Sequence, residues 1–285
     1  MSEARSNESP EVAVCEEFPG PSTARFTKAL VWEQLHRKST SVLMVLSLLI
    51  VLPYCYVMLY MYYLAGVDEP HLLYEMNYTI TLSVADTVFF SFILLAAPVI
   101  VALTGGKYSR GVAATQHVTV GNRKVYLAAH CVAAFSFVMA WSFVAVIVAW
   151  TVARVTVGDF SNDISLFELW LRVIGPLLLL TSMCVGFSFM LRSTFVTLAL
   201  WYLLMSVFGP MLLLMSSGDR TVGVWMAWFI PSPTWTAFWG DVEVAPDMAA
   251  LGATPFGQAW AVLAVWATVL TAVGTWRTIR TDVKA

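Results

Sequence analysis

Charged residues are scarce in this chain. They make up 12% of its 285 residues, whereas hydrophobic residues reach 59%. A soluble domain usually carries about 25% charged residues. The apolar residues also stand in long unbroken runs, which a soluble core does not require. The composition therefore excludes a soluble globular protein and predicts an all-α integral membrane protein.

The residues and motifs of enzyme active sites are also scarce. The four cysteines and four histidines form neither a disulfide framework, nor a zinc spacing, nor an H-E-x-x-H pair. The sequence has no P-loop motif G-x-x-x-x-G-K-[ST] and no nucleophile elbow G-x-S-x-G. We therefore expect no catalytic, cofactor or metal site and no ATPase site within the chain. A net charge of −2, without a basic patch interleaved with aromatic residues, argues against a nucleic-acid partner.

Apolar segments of about 20 residues, the length needed to cross a bilayer, occur six times. The fourth and fifth are separated only by Arg192 and Ser193, so they form either a tight hairpin or one bent unit. The predicted spans are 41–64, 84–103, 125–152, 169–191, 194–215 and 256–275.

Proline occurs within several of these spans. A proline removes a backbone hydrogen bond and can kink its helix, which suits a bundle that moves. Equally, proline is simply commoner in membrane helices than in soluble ones. The prolines concerned are Pro53, Pro98, Pro176 and Pro210.

The basic residues predict the orientation. If both termini lie inside, 13 of the 16 lysines and arginines fall in inside segments, and the outside segments hold only Arg154, Arg172 and Arg220. Basic residues concentrate in cytoplasmic loops, so we predict that both termini are cytoplasmic.

The N-terminal part divides into two regions. Residues 1–21 are polar and acidic and predict a disordered cytosolic tail. Residues 22–39 combine one apolar face with basic residues and predict an amphipathic helix on the inner membrane surface. The alternative is a basic segment that only anchors the first span. The transmembrane domain follows over 40–277, and 278–285 form a cytosolic tail.

The loop 105–124 is the main polar interruption between the spans. It carries four basic residues and no acidic one, which predicts a cytoplasmic location. Its interior, Val112 to Val118, is long enough for one or two helical turns. The loop is either a topology anchor or a segment on which a soluble partner acts.

The outside segment 216–255 is rich in aromatic residues around Pro231 and Pro233. Tryptophan prefers the membrane boundary, where its ring is buried and its N–H stays hydrated. We predict two short re-entrant helices, about 222–229 and 234–240, although an aromatic belt on an ordinary loop is the alternative. The candidate outer-interface residues are Trp225, Trp228, Trp235 and Trp239.

Asp86 is the acidic residue within a predicted span. Ionised side chains at membrane depth usually face a partner or a watery cavity. Asp86 either lies at the outer boundary, where it is solvated, or faces a substrate path. In the second case it meets a cationic group of the substrate or pairs with Arg172.

The order of segments resembles the membrane subunit of the type-two ABC exporter family. That order is an amphipathic helix, two spans, a basic loop, three spans, re-entrant aromatic helices and a sixth span. In the loop pattern of the family, an acidic residue precedes Gly-Thr, and Ser-Arg precedes the third span. Here Gly111-Val112 stands for Gly-Thr and Asn122-Arg123 stands for Ser-Arg, while the acidic position is occupied by Tyr108, Ser109 or Arg110.

The resemblance implies a permease subunit of an ATP-driven exporter in a bacterial plasma membrane. It implies that the loop docks on a dimer of a separate ATPase subunit, which binds the ATP, and that a second membrane subunit, identical or related, pairs with this one. Expected substrates are amphipathic: a lipid, a hydrophobic drug or an antimicrobial peptide, the last for self-immunity. The alternatives are a membrane-embedded lipid-modifying enzyme and a scaffold subunit that transports nothing. The docking residues that the resemblance implies are Tyr108, Arg110, Gly111, Val112, Thr115, Val118 and Arg123.

Overall fold

The computed structural model of the chain describes seven ranges and four single residues. All regular secondary structure within these ranges is helical, which confirms the all-α prediction. The predicted N-terminal tail 1–21 lies outside the described residues. The described residues are 22–36, 38–67, 83–109, 122–157, 165–208, 228–231 and 256–280, together with Val112, Ala113, Gln116 and Thr236.

Each of these helices overlaps the predicted amphipathic segment or one of the predicted spans, and the count of six spans stays a prediction. The third helix contains a π-helical turn at Phe92–Ala96 and continues as an α-helix over Ala97–Ser109. A second π-helical turn, Leu203–Phe208, directly follows the helix Thr194–Tyr202. In chain order the helices are α1 (Thr23–Leu35), α2 (Lys38–Val67), α3 (83–109), α4 (Arg123–Val157), α5 (Leu166–Leu191), α6 (Thr194–Tyr202) and α7 (Phe256–Arg280).

Helices α3, α4, α5 and α7 are long and apolar enough to cross a membrane, with mean hydropathies between 1.6 and 2.4. Two apolar stretches are shorter: Ser41–Val57 within α2, and Thr194–Val207, which covers α6 and most of the π-helical turn after it. Helices of this length and composition are consistent with a membrane protein.

Arginine side chains join the helix ends at one end of the bundle, here named the basic end. Arg123, which opens α4, donates to the carbonyl of Ile279 near the end of α7 at 2.8 Å. Arg192 donates to the carbonyl of Arg277 at 3.2 Å, and Arg277 donates to the carbonyl of Met190. The last carbonyls of a helix have no partner within that helix and carry partial negative charge. The guanidinium groups supply both the missing donors and the opposite charge.

Helices α5 and α7 approach each other closely through two glycines. A Cβ added to Gly274 would lie 2.5 Å from the carbonyl oxygen of Gly186, and one added to Gly186 would lie 2.6 Å from the backbone of Leu270. One helical turn away, the hydroxyl of Thr271 donates to the carbonyl of Ser182 at 3.1 Å. Small residues allow helix backbones to meet in this way when there is no hydrophobic effect between them.

Two tryptophans, the buried Trp141 and the half-buried Trp170, connect α4 with its neighbours. The indole N–H of Trp141 donates to Ser47 of α2 at 2.8 Å, and that of Trp170 in α5 donates to Ser142 of α4 at 3.1 Å. Each indole N–H therefore has a hydroxyl partner inside the bundle, as a buried tryptophan needs.

The junction of α5 and α6 is a sharp turn. Arg192 has φ 55°, and its N–H bonds to the carbonyl of Ser188. Ser193 then caps α6 by accepting from the N–H of Val196. A residue with positive φ commonly ends a helix, and a serine at the N-cap begins the next one. The two helices are therefore separate elements rather than one bent helix.

The close contact of α5 with α7 predicts the effect of a single methyl group. We expect Gly274→Ala to lower the stability by about 1–3 kcal/mol, because overpacking a tight contact forces the backbones apart. Gly257→Ala in the same helix is the matched control, since a Cβ there meets nothing within 4 Å. Thermal unfolding of the purified protein in detergent measures both. Equal unfolding temperatures for the two variants would contradict the close approach of the backbones.

Candidate functional site

The loop between α3 and α4 lies at the basic end, because α3 ends there and α4 begins there. Val112, Ala113 and Gln116 are helical, as expected for the interior of the predicted coupling segment. Ala113 is fully buried, whereas Val112 is 40% exposed. A helical turn at this position therefore rests on the bundle with Ala113 and presents Val112 outward.

Tyr108, at the start of this loop, lies in an aromatic cluster. Its ring meets those of Tyr126 and Phe189 edge to face, with centroids 6.5 and 6.3 Å apart. The guanidinium of Arg192 lies 5.4 Å from the centroid of the Tyr108 ring, a cation–π distance. Tyr108 therefore joins the ends of α3 and α5 to the beginning of α4.

Lys107 is buried in an ion pair that sequence reasoning missed. Its ammonium donates to Glu33 of α1 at 2.6 Å, and the Lys107 side chain is 1% exposed, while that of Glu33 is 40% exposed. A buried charge is tolerated when it is paired and hydrogen-bonded. The sequence signal that could have found the pair is Glu33 itself, because it is the acidic residue of an otherwise basic segment.

Helix α1 is also held by apolar packing. Leu30 is 2% exposed and packs with Leu103 of α3 and with Ala129 and Ala133 of α4. The two alanines are four residues apart, so they lie on one face of α4 and leave room for the leucine. Helix α1 is thus packed against the two helices that flank the loop.

Asp86 lies at the end of α3 opposite Lys107. The two residues are 21 positions apart, which corresponds to about 32 Å along a helix. The carboxylate of Asp86 accepts a hydrogen bond from the hydroxyl of Tyr54 in α2 at 3.0 Å. The ring of Tyr54 also stacks on Phe90 with centroids 4.2 Å apart. Asp86 therefore connects α3 to α2 at this end of the bundle.

Arg172 is buried near the start of α5, 7% exposed. It donates to Glu168, one turn earlier, at 2.8 Å. Ser165 caps the same helix by accepting from the N–H of Glu168 at 3.2 Å. Tyr54 is thus a partner of Asp86, and Glu168 is a partner of Arg172. A pairing of Asp86 with Arg172 stays a prediction.

Part of the aromatic segment runs beside α7. The indole N–H of Trp260 donates to the carbonyl of Thr236 at 2.9 Å, and that of Trp266 donates to the carbonyl of Phe229 at 2.8 Å. Trp266 is ten residues from the start of α7, which is about 15 Å along the helix. Phe229 therefore lies beside α7, well past the start of that helix, and the two re-entrant helices stay a prediction. Trp228, in the same turn, is 53% exposed.

An open groove of about 630 Å³ lies along α2 and α4, and the described residues that line it are uncharged. Its lining residues are Leu52, Tyr56, Tyr60, Thr151, Val152, Val155 and Thr156.

Other predicted site residues have no described position. Among the described residues, His, Cys, Asp and Glu form no group of three that could hold a metal ion. The predicted residues that lie outside the described part are Arg110, Gly111, Thr115, Val118, Trp225, Trp235 and Trp239.

No protein-family model matches the chain, and no curated protein matches it either. Function is therefore inferred from the residues of this chain and their contacts.

The Lys107–Glu33 pair predicts a test of how α1 is held. We expect Glu33→Gln to cost on the order of 1–3 kcal/mol, because it leaves the buried ammonium of Lys107 without its carboxylate. The double variant Glu33→Gln with Lys107→Met should regain most of this loss, since neither charge remains. Thermal unfolding in detergent compares the three proteins. A single variant as stable as the parent would show that the pair contributes nothing.

Proposed function

We propose that this chain is the membrane subunit of an ATP-driven exporter of the type-two ABC family. It crosses the membrane six times with both termini in the cytoplasm, and a separate ATPase subunit binds and hydrolyses the ATP. Its substrate is amphipathic: a lipid, a hydrophobic drug or an antimicrobial peptide. The observation that carries the proposal is the helical turn at Val112 and Ala113, held at the basic end between α3 and α4.

This turn has the properties of a coupling helix. Ala113 and Tyr108 fix it to the bundle, whereas Val112 offers an apolar contact to a partner. The Lys107–Glu33 pair adds α1 to the same unit. A rigid-body movement of a docked ATPase would act on the adjoining ends of α3 and α4, because the helices are packed elements that move as bodies.

The contacts of the arginines support the proposed orientation. Arg123, Arg192 and Arg277 come from three segments assigned to the inside on charge alone, and they meet at one end of the bundle. Asp86 and Glu168 belong to the opposite end, which is then the outer one. Helices α2 and α6 complete the six spans, although their apolar stretches are the shorter ones.

The substrate path is proposed to lie near the outer ends of the first four spans. The Asp86–Tyr54 pair offers a carboxylate for a cationic group, and Arg172 with Glu168 lies near the outer end of the fourth span. The open groove along α2 and α4 offers a surface for an apolar part of the same substrate. Two membrane subunits, identical or related, pair around this path.

Photo-cross-linking from the loop tests the proposal. A photoreactive amino acid placed at Val112 and activated in intact cells should form an adduct with a protein that carries a P-loop motif, identified by mass spectrometry. The same amino acid at Val155, which is 81% exposed near the far end of α4, is the matched control and should not capture that protein.

Two results would contradict the proposal. Capture of the P-loop protein from Val155 but not from Val112 would show that the chain has the opposite orientation to the proposed one. Absence of any such adduct from Val112, with normal insertion of the protein, would favour the scaffold or the lipid-modifying enzyme.

A further inference from the structure

Helix α3 changes its hydrogen-bond pattern halfway along its length. At the π-helical turn Phe92–Ala96, the N–H of Ala97 bonds to the carbonyl of Phe92, five residues earlier. Such turns are rare and frequently occur at functional sites. This turn divides α3 into an outer half, Ser83–Ser91, and an inner half, Ala97–Ser109, that leads into the loop.

Pro98 explains why a carbonyl at this turn needs a hydrogen-bond donor from outside the helix. Proline has no backbone N–H. In the α-helical pattern residue 98 would donate to the carbonyl of Leu94, and in the π-helical pattern it would donate to the carbonyl of Ile93. The missing N–H would therefore have served the carbonyl of Leu94 or that of Ile93, and an unsatisfied carbonyl in the middle of an apolar helix is costly in a membrane.

Helix α6 supplies a side-chain donor to each of these two carbonyls. The indole N–H of Trp201 donates to the carbonyl of Ile93 at 3.2 Å, and the hydroxyl of Tyr202 donates to the carbonyl of Leu94 at 2.7 Å. Trp201 is fully buried and meets the ring of Phe92 edge to face. Both bonds come from side chains, so they can break without disturbing the backbone bonds of either half of α3.

The two halves of α3 pack against different helices. In the outer half, Asp86 and Phe90 contact Tyr54 of α2. In the inner half, Gly105 faces α5, where an added Cβ would lie 3.4 Å from the Cβ of Ser188. A bend at the turn would therefore separate the inner half from α5 while leaving the contact with α2 in place.

We propose that Phe92–Pro98 is a hinge in α3 and that Trp201 and Tyr202 are the latch that holds it in the conformation described here. The inner half of α3 swings at this hinge when the loop at the basic end is displaced, and the two side-chain bonds open as it does so. This rests on the proposed function only for the source of the displacement. The hinge and its latch belong to the isolated chain.

The reactivity of two thiols measures the latch. Ser188 is fully buried against the inner half of α3, and Cys55 is fully buried at the interface of α2 and α4. The test protein carries Ser188→Cys, retains Cys55, and has alanine in place of Cys15, Cys131 and Cys184. A small membrane-permeant thiol reagent modifies each site in proportion to the time it is open, and mass spectrometry reports the two rates separately.

Removing one latch bond should increase opening at one site only. Tyr202→Phe keeps the ring and removes the donor. The loss of one interhelical hydrogen bond of this kind shifts the equilibrium between the closed and open conformations about threefold. We expect the thiol introduced by Ser188→Cys to react about threefold faster, with the Cys55 rate unchanged. Tyr60→Phe, on the exposed face of α2, is the matched control and should change neither rate.

Other outcomes overturn the latch. Unchanged reactivity at position 188 would show that the hydrogen bond of Tyr202 does not restrain the inner half of α3. An equal rise at Cys55 would indicate general loosening of the bundle. Trp201→Phe, which removes the other donor, provides the same comparison if Tyr202→Phe fails to fold. Because the purified chain is measured without ATP or ATPase, failure of the latch leaves the proposed transport function standing, and the reverse also holds.

Discussion

A backbone carbonyl in hydrocarbon needs a donor from within the protein, and much of this structure follows from that requirement. At several of the described helix ends and breaks, a side chain from another element supplies the bond. Arginines do so at the basic end, where Arg123 reaches the carbonyl of Ile279. Tryptophans do so beside α7, where Trp266 reaches Phe229. Trp201 and Tyr202 do so at the turn of α3. These bonds connect segments far apart in the sequence and thereby fix how the helices are arranged.

The positions of the helices could be predicted from the sequence, because length and apolar composition decide whether a segment can cross a bilayer. Their ends were harder to place. Helix α4 begins at Arg123 and ends at Val157, beyond the predicted 125–152, and α7 reaches Arg280, three residues into the predicted tail. The ends of these helices include the polar residues Arg123 and Arg280, because a helix can continue past the apolar interior of the bilayer.

The contacts between helices could not be predicted, since nothing in a single sequence reports which distant residues meet. Lys107 counted only as a loop charge, yet it is buried against Glu33. Pro98 was recognised as a possible kink, but its compensating donors lie more than 100 positions away in α6. Asp86 was expected to face a partner or water, and its described partner is the hydroxyl of Tyr54.

The proposed function and the proposed hinge combine into one account of transport. In this proposal, the loop at the basic end receives the movement of an ATPase, the inner half of α3 carries it to the hinge, and the outer ends of the spans line the path. The most direct measurement is ATP hydrolysis by the partner ATPase in proteoliposomes, with and without this chain, as amphipathic compounds are added. The account predicts that a compound stimulates hydrolysis only when this chain is present. Hydrolysis that is the same in both preparations, with every compound, would contradict it.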